Sequence, residues 1–587
     1  MEELRPEPSS PFDRSIHSAA SIRPTTIGRD AWTETKTVKN RHLSTIEAAS
    51  LIVNKMIGTG IFTTPGIVLQ LTQSKKVALG LWILGGFYAG LCLLIYLDFG
   101  TGLPFNGAEL IYLNRVFNFS KARLLPPVLF ASFFVCLYHT AGNALSFARF
   151  VLIASTPDPG SGSYNLNETA IKMVAVLILA VVCFLLWISP RTGLVLSKTL
   201  ALYKLGLLLV LGGWGIAARH NNDSTSTSTS TKSSTADWGW QGESNNAMEQ
   251  IAAFIYIVYS YTGWENACYV LGEFDKEDRN WRNKIRYGAL LAVFLVAFAY
   301  TILTLGYYQS CTYADIIRDV DESDLGIAKV FATRVLISQA SITGMKVNIA
   351  LCAFGNLVAV AYTSTKVKQA IALHHFLPFS TFLGSDDPFG TPGGSLVLHW
   401  IVSSTFIAAT PSTSNGYAFI IGLLAYGQLA VGVCMGLGRY KLKKAIEKAK
   451  LLDTWEPWIP SNTINFSAGF TLCGVNFLLL IAAAWSSSKE TGTTHRYLWP
   501  VVFLSFMAAG FLYWYVLQLL QGSLGEWLGW TWYVQRTDEE SDLDKHRRLT
   551  RRDGTEYRYF HEVVKRGKAE KLKHWSLAVI GWLDVHL

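Results

Sequence analysis

Two glycine-centred segments lie within long apolar stretches, where exposed peptide groups could bind a ligand. Residues 54–66 place Gly58 and Gly60 in the middle of one stretch and end in a proline–glycine pair. Residues 259–266 place Gly263 among polar and aromatic side chains in another stretch. A helix in lipid unwinds only where its peptide groups find other partners, and glycine tolerates the unusual backbone that unwinding requires. We therefore expect both helices to be interrupted at these glycines.

Interrupted helices expose peptide groups of both polarities. The N–H groups that begin a half-helix carry partial positive charge and suit a carboxylate, whereas freed carbonyl oxygens suit an ammonium group. A zwitterionic amino acid would satisfy both sets of groups. Close packing of two helices is the alternative explanation for one pair of nearby glycines. Two such segments in one chain are a stronger signal than either segment alone.

About twelve apolar runs must position these segments. The hydrophobic residues gather in runs of roughly 20 residues, the length that crosses a hydrocarbon core of ~30 Å at 1.5 Å per residue. The chain of 587 residues is 50% hydrophobic and only 16% charged, which argues against a soluble enzyme. The runs, called spans one to twelve, are 45–71, 77–102, 124–156, 170–189, 192–217, 247–271, 287–308, 345–373, 395–410, 415–437, 464–485 and 497–520. Because the first run follows a polar tail, we expect no cleavable signal peptide.

The two glycine segments fall in spans one and six. Interruptions at those two positions are typical of two five-helix repeats with inverted topology, which place a binding site near the middle of the bilayer. We predict an all-α integral membrane protein with about 12 transmembrane helices, a 5+5 inverted repeat and broken helices one and six. The predicted domains are a tail (1–43), a transporter domain (44–520) with repeats 45–217 and 247–437 and two further helices (464–520), and a second tail (521–587).

The distribution of Lys and Arg predicts the orientation of the chain. An even number of spans divides the loops into two sets, and one set is clearly richer in basic residues. The basic segments counted with these loops, including the adjoining ends of spans, are 115–123, 191–198, 276–286, 366–368 and 439–450. Because cytoplasmic loops carry the excess of Lys and Arg, both tails should be cytoplasmic in a multi-pass plasma membrane protein.

The residues around both breaks also carry a family resemblance. Residues 58–62 resemble the G-S/T-G-I-F signature of the amino acid–polyamine–organocation superfamily, and residues 259–266 resemble its span-six segment. Within it, the chain resembles the fungal branch of the L-type amino acid transporters, typified by high-affinity methionine permeases. The segments that carry this closer likeness are 53–66, 354–357, 377–380 and 398–403. The likeness covers residues 44–520 and leaves the tails unmatched.

The resemblance implies a secondary active transporter that imports neutral amino acids by alternating access. L-Methionine is the expected cargo and cysteine a further candidate, with proton coupling and independence of sodium. The implied partners are the amino acid, a proton, membrane lipid, and ubiquitin-ligase adaptors that would contact the cytoplasmic tails. Neither a cofactor, a metal nor a nucleic acid is expected, and the eight cysteines show no CxxC metal spacing.

Three other functions remain alternatives. A broad neutral amino acid permease or exchanger would have the same fold with different cargo or coupling. A non-transporting nutrient receptor would signal through its tails, and tails of about 43 and 67 residues are modest for that role. An integral membrane enzyme would need clustered His, Asp or Cys residues near one interface, and the sequence shows no such cluster.

By the same resemblance, the substrate-binding residues come from the two breaks. The backbone amides of Thr59, Gly60 and Ile61 would bind the substrate carboxylate. The carbonyls near Ile57, Tyr259 and Ser260 would bind the ammonium group, and Thr262 and Gly263 belong to the same site. Tyr259 matches the aromatic gate of the family, and a core aromatic is the alternative for that ring.

Lys204 and Glu265 are the candidates for coupling. A lysine inside a span costs ~3 kcal/mol on insertion scales, so Lys204 in span five should be paired or functional. It matches the family lysine that occupies the ion site of sodium-coupled relatives; a packed lysine bonded to carbonyls of span one is the alternative, and both roles can coexist. Glu265 is the first candidate for a group that binds a proton in one transport state. His139, Glu109 and Asp98 rank below it.

Overall fold

The computed structural model describes most of the membrane domain and little of the two tails. The described residues are 43–117, 125–156, 166–225, 235–241, 247–274, 278, 280–322, 326–336, 338–374, 376–377, 379–386, 389–411, 414–448, 458, 462–485, 498–521, 530–536 and 559–565. The predicted N-terminal tail lies almost wholly outside these residues, as does most of the C-terminal tail. The predicted contacts of the tails with ubiquitin-ligase adaptors therefore also lie outside them.

The described residues of the first half of the membrane domain form eight α-helices. They are α1 (Thr45–Met56), α2 (Gly60–Thr72), α3 (Lys75–Gly102), α4 (Glu109–Val116), α5 (Leu125–Leu137), α6 (Ala141–Ser155), α7 (Glu168–Ile188) and α8 (Pro190–Thr225). A capping box starts α1, because Ser44 accepts from the Glu47 amide while the Glu47 carboxylate accepts from the Ser44 amide. A 3₁₀ turn, Thr235–Trp238, follows α8.

In the second half, the part of the chain that the structure describes contains ten α-helices and a long 3₁₀ helix. The α-helices are α9 (Ala247–Tyr261), α10 (Trp281–Ser310), α11 (Tyr313–Glu322), α12 (Ile327–Phe331), α13 (Gln339–Leu373), α14 (Ser380–Gly384), α15 (Gly393–Ala409), α16 (Ser414–Lys448), α17 (Asn462–Trp485) and α18 (Leu498–Gln521). The 3₁₀ helix Trp264–Glu273 follows α9, and a π turn, Ala332–Leu336, follows α12. Beyond α18, the strands Trp530–Arg536 and Tyr559–Lys565 pair antiparallel.

The prediction of a helical membrane protein is confirmed. Among the described residues, nine helices are long and apolar enough to cross a membrane, and α1 with α2, bent by 45°, makes a tenth. The helices that fill spans one to twelve are, in order, α1 with α2, α3, α5 with α6, α7, α8, α9 with the 3₁₀ helix, α10, α13, α15, α16, α17 and α18. The number of spans and the inverted repeat stay predictions.

The broken first span lies at the centre of the packing. Helix α1 contacts α8, α10, α13 and the 3₁₀ helix, and its residues from Ser50 to Met56 are all buried. Spans five and seven approach very closely where two glycines meet, because a Cβ atom on Gly306 would lie 2.6 Å from the Gly212 carbonyl oxygen. Only residues without a side chain permit that approach. The close contact fixes span five, which carries Lys204, against the centre of the molecule.

Span three, predicted as an apolar run over residues 124–156, contains a short non-helical segment. Helix α5 ends at Leu137 and α6 begins at Ala141, so that residues 138–140 are not helical. This segment contains neither glycine nor proline. Its backbone is held by a distant helix instead, since the Thr140 amide donates to the Ser403 hydroxyl over 3.3 Å. A tertiary contact of this kind leaves no local sequence signal.

Candidate substrate-binding site

The first span is interrupted where its glycines predict. Helix α1 ends at Met56, α2 begins at Gly60, and residues 57–59 between them are not helical. The Gly58 amide donates to the Met56 carbonyl over 3.0 Å, which turns the chain sharply. Gly60 and Ile61 are the first two residues of α2, so their amides have no carbonyl one turn earlier in that helix. The positive end of the α2 dipole therefore lies at the break.

The sixth span is interrupted at Gly263. Helix α9 ends at Tyr261, and the 3₁₀ helix begins at Trp264. Gly263 has a φ of +145°, a backbone conformation that residues with a side chain rarely adopt. Directly before Gly263, the Thr262 amide donates to the Tyr259 carbonyl over 3.0 Å. Glycine at position 263 is therefore required by the shape of the break.

The two breaks lie in direct contact. A Cβ atom on Gly60 would lie 3.3 Å from the Ser260 hydroxyl, and one on Gly263 would lie 2.8 Å from the Met56 amide nitrogen. Ile57, Thr59, Ile61 and Ser260 are all buried. The structure thus brings Gly60 of span one against Ser260 of span six, and Gly263 of span six against the end of α1.

Side chains from two other spans hold the carbonyl groups of the breaks. The Lys204 ammonium is fully buried and donates to the carbonyls of Ile57 over 2.7 Å and Asn54 over 3.0 Å. The Tyr300 hydroxyl lies 2.5 Å from the Met56 carbonyl and 3.2 Å from the Ser260 carbonyl. A carbonyl oxygen has two lone pairs, so an oxygen that accepts one hydrogen bond can accept a second. The Met56 oxygen already has two donors, the Gly58 amide and the Tyr300 hydroxyl.

Three asparagines that had no predicted role support the first break. Asn356 donates to the Lys55 carbonyl over 2.6 Å, and Asn143 donates to the Asn356 side-chain oxygen over 2.9 Å. Asn54 donates to the Ser197 carbonyl over 2.5 Å. A buried amide is costly unless it is hydrogen-bonded, so asparagines inside apolar runs were the available signal.

Glu265 forms a buried ion pair with Lys55. The same Lys55 ammonium donates to the Tyr138 hydroxyl and lies 4.7 Å from the centre of the Tyr138 ring. The second carboxylate oxygen of Glu265 accepts from the Gly263 amide over 2.9 Å. The pair thus joins the end of α1 to the break in span six and to the interrupted part of span three. Its two charges compensate each other inside the protein.

Tyr259 places its backbone and its ring in different surroundings. Its carbonyl accepts from the Thr262 amide at the break. Its partly exposed ring lines a cavity bounded by residues of spans six, ten, eleven and twelve. The other residues that line this cavity are Ala252, Ile255, Tyr256, Ile421, Gly422, Ala425, Ala483 and Trp499. The gate function of Tyr259 stays a prediction.

The lower-ranked coupling candidates lie outside the two breaks. His139 stacks on Phe406, with 3.9 Å between ring centres. Asp98 pairs with Arg439 at the opposite end of span two from Lys75. Glu109 begins the short helix α4 between spans two and three, and burial raises the pKa of its carboxyl to about 8. Only Lys204 and Glu265, among the candidates, bond directly to the backbone of the breaks.

The comparisons with known proteins agree with this architecture. Residues 43–520 match the family described as amino acid permease. The chain is 25% identical over 444 residues to the high-affinity methionine permease of Saccharomyces cerevisiae, covering 75% of this chain and 72% of that protein. It is 23% identical over 418 residues to the low-affinity methionine permease of the same organism, covering 70% and 73%. It is 23% identical over 464 residues to Asc-type amino acid transporter 1 of Mus musculus, covering 75% and 79%.

These matches confirm the predicted family and the transport function class. The match extends from the start of α1 to the end of α18 and therefore includes both breaks. The similar proteins are named as permeases and transporters, which are not enzymes. The chain belongs to the amino acid permease family and is a multi-pass membrane protein whose substrate is an amino acid.

Proposed function

We propose that this protein imports L-methionine across the plasma membrane by alternating access, in symport with protons and without sodium. The observation that carries the proposal is the contact between the two broken spans, where Gly60 faces Ser260. Two of the similar proteins are named methionine permeases, which supports methionine as the cargo. Cysteine, which also carries sulfur, is a further candidate cargo.

The proposed binding mode uses the backbone of both breaks. The amides of Thr59, Gly60 and Ile61, at the start of α2, bind the substrate carboxylate. Helix N-termini favour anions because their amides and their dipole act together. The ammonium group takes the remaining acceptor positions on the carbonyls of Ile57 and Ser260, with the Tyr259 carbonyl beside them. Side chains around the breaks then discriminate between substrates.

Alternating access requires the half-helices on either side of each break to move separately. Both termini would be cytoplasmic, with residues 45–217 and 247–437 as the two inverted repeats. In that orientation, α1 and the 3₁₀ helix face the cytoplasm, and the Lys55–Glu265 pair closes the inner side of the site. Ubiquitin-ligase adaptors would act on the tails at the same side.

Lys204 supports independence of sodium. A sodium ion binds oxygen ligands, and carbonyls released by a broken helix are typical ligands for it. Here the Lys204 ammonium already donates to the carbonyls of Asn54 and Ile57. In its protonated form, Lys204 also repels a second cation at this position. Lys204 and Glu265 are also the proposed coupling residues nearest the substrate, since movement of α1 changes the surroundings of both.

The test is uptake of radiolabelled methionine by cells that express the chain, over a series of pH and sodium concentrations. We expect uptake to increase as the external pH falls and to be unchanged when choline replaces sodium. Unlabelled cysteine should compete more strongly than leucine. Uptake that requires sodium, or an uptake rate that stays the same when the external pH is raised or lowered, would contradict the proposed coupling.

A broad neutral amino acid exchanger is the second candidate, because one similar protein is named as an Asc-type amino acid transporter. The same cells distinguish the two functions. An exchanger would release preloaded methionine only when an external amino acid is present, and small neutral amino acids would compete as well as methionine. Efflux without external substrate and selective competition by methionine favour the first proposal.

A further inference from the structure

A second buried polar cluster lies between spans eight and nine, away from the two breaks. Lys368 on α13 and His399 on α15 are both fully buried. The Lys368 ammonium nitrogen lies 2.9 Å from His399 Nδ1. Two basic side chains are thus hydrogen-bonded directly to each other inside the protein.

Hydroxyl groups, rather than carboxylates, surround this pair. His399 Nε2 lies 3.0 Å from the Thr140 hydroxyl, and the Ser364 hydroxyl lies 3.3 Å from His399 Nδ1. Among the residues that the structure describes, no carboxylate lies within ion-pair distance of Lys368. Within the described part of the chain, no acidic side chain therefore neutralises the positive charge of this lysine.

The titratable groups on the neighbouring elements do not supply that charge either. Those that face the pair are Cys136 and His139 of span three and Cys183 of span four. The carboxylates on adjoining elements have other partners. Glu273 of the 3₁₀ helix pairs with Lys366 at 3.0 Å, and Asp386, after α14, accepts from Gln369 over 2.8 Å.

Direct contact between two bases makes their protonation a shared property. An ammonium group can only donate, so protonated Lys368 requires an acceptor at His399 Nδ1, and His399 Nε2 then donates to Thr140. When Lys368 is neutral, His399 Nδ1 can donate to it, and Nε2 accepts from the Thr140 hydroxyl. Loss of one proton thus exchanges the donor and acceptor roles in the hydrogen bond between His399 and Thr140. It also removes an uncompensated charge from the interior, which costs several kcal/mol to bury.

Thr140 links the pair to the substrate site. It belongs to the interrupted segment 138–140 of span three, and Tyr138 at the start of that segment accepts from Lys55. Lys55 in turn pairs with Glu265 at the break in span six. Three residues of irregular backbone therefore connect the two buried clusters. Irregular backbone inside a span adjusts to a changed hydrogen bond more readily than a continuous helix does.

We propose that Lys368 and His399 form a proton-binding pair that couples proton movement to substrate transport through the interrupted segment of span three. The proton comes from the acidic side, resides on the pair and leaves to the other side, so that no other bond forms or breaks. The assignment rests on the proposed function, proton-coupled import. Lys55 is a less suitable site because Glu265 already neutralises it.

Two substitutions fix the charge of the pair in opposite states. Lys368→Arg keeps a positive charge that arginine does not release, and Lys368→Met removes the charge while filling the same volume. Lys366→Arg is the matched control, since it lies two residues away on α13 and its lysine pairs with Glu273. Each full-length variant is purified and reconstituted into liposomes.

Two measurements separate coupling from transport. The first is accumulation of labelled methionine. An imposed gradient of about one pH unit, acidic outside, can drive about tenfold accumulation for each proton moved with the substrate. Exchange of methionine without a gradient needs no net proton movement. We expect the parent and Lys366→Arg to show both activities. We expect Lys368→Arg and Lys368→Met to retain exchange to within about twofold while their accumulation falls to equilibration, a loss of about tenfold.

Each contrary outcome has a distinct meaning. If the Lys368 variants accumulate methionine like the parent, the pair does not bind the transported proton, and the proposed function stands. If they reach the liposomes but lose exchange together with accumulation, Lys368 is a structural residue and the assignment is wrong. If the parent exchanges methionine but ignores the pH gradient, both this assignment and proton coupling are wrong. If the parent exchanges no methionine, the proposed cargo and this assignment fail together.

Discussion

Gly263 packs against the backbone of Met56, and this contact joins the two broken spans. A Cβ atom on Gly263 would lie 2.8 Å from the Met56 amide nitrogen and 3.1 Å from the Lys55 carbonyl carbon. The break in span six therefore rests on the last turn of α1. A contact this close lets a shift of one break act directly on the other, as a shared substrate site needs.

Gly263→Ala should disrupt this contact and the backbone of span six together. Strained backbone of this kind costs about 1–3 kcal/mol for a residue with a Cβ atom, and the clash with Met56 adds to that cost. We expect a lower melting temperature in detergent and little or no methionine uptake. Gly90→Ala in span two is the control, because nothing lies within 4 Å of its added Cβ atom. Normal uptake by Gly263→Ala would show that the breaks need not be in contact.

Gly60→Val should abolish uptake while the protein still reaches the cell surface. The new side chain would point at the Ser260 hydroxyl and occupy the proposed carboxylate position. The displaced carboxylate loses its hydrogen bonds to the amides at the break, and each bond to a charged group contributes about 1.5–3 kcal/mol, so binding weakens about tenfold or more for each bond lost. Surface labelling and uptake are measured on the same cells, with Gly206→Val in the exposed part of span five as the control. Uptake equal to the parent's would place the substrate elsewhere.

The interruptions in spans one and six could be predicted because their cause is local. Glycine clusters such as Gly58 with Gly60 change the backbone directly, and a regular apolar run makes them conspicuous. The interruption in span three could not be predicted in this way. Thr140 is held by His399 and Ser403, which follow it by 259 and 263 residues. A contact across that distance depends on the packing of whole helices.

The supporting residues of the site show the same limit. A lysine in span five was expected to be paired or functional, because its burial cost is visible in the sequence. Its bonds to the carbonyls of Asn54 and Ile57 agree with the alternative of a packed lysine bonded to carbonyls of span one. The bond from Asn356 to the Lys55 carbonyl, across 301 residues, has no such local sign. The energetic cost of burying such a side chain can be read from the residue type, whereas its hydrogen-bonding partner is determined by the fold.

Lys204→Ala should impair transport more than folding. The substitution leaves the carbonyls of Ile57 and Asn54 without their donor, so the first break loses its shape. Lys198→Ala on the same helix is the control, because its partly exposed pair with Glu47 contributes about 0–1 kcal/mol. Methionine uptake normalised to surface protein is the measurement. Loss of Lys204→Ala from the surface, with normal uptake per remaining molecule, would indicate a purely structural lysine.

The Lys55–Glu265 pair should behave as a coupled buried unit. Lys55→Met leaves a buried carboxylate unpaired, which typically costs about 3–5 kcal/mol. Glu265→Gln leaves an unpaired ammonium at similar cost, and the double variant should be more stable than the sum of the two single losses predicts. Melting temperatures in detergent give the comparison. Simple additivity would mean that the two charges do not interact.

The buried carboxyl of Glu109 should make the protein less stable as the pH rises. Burial raises its pKa to about 8, whereas in the unfolded chain a glutamate has a pKa of about 4.3. Between these values the folded protein holds a proton that the unfolded chain has released, so stability is greatest at low pH and falls as the pH increases towards 8. Melting temperatures between pH 5 and 9 should therefore decline less steeply for Glu109→Gln than for the parent. The control is Glu168→Gln, at an exposed position near the start of span four, whose melting temperature should fall with pH as steeply as the parent's. If the melting temperatures of all three proteins fall equally steeply, Glu109 is ionised in the folded state.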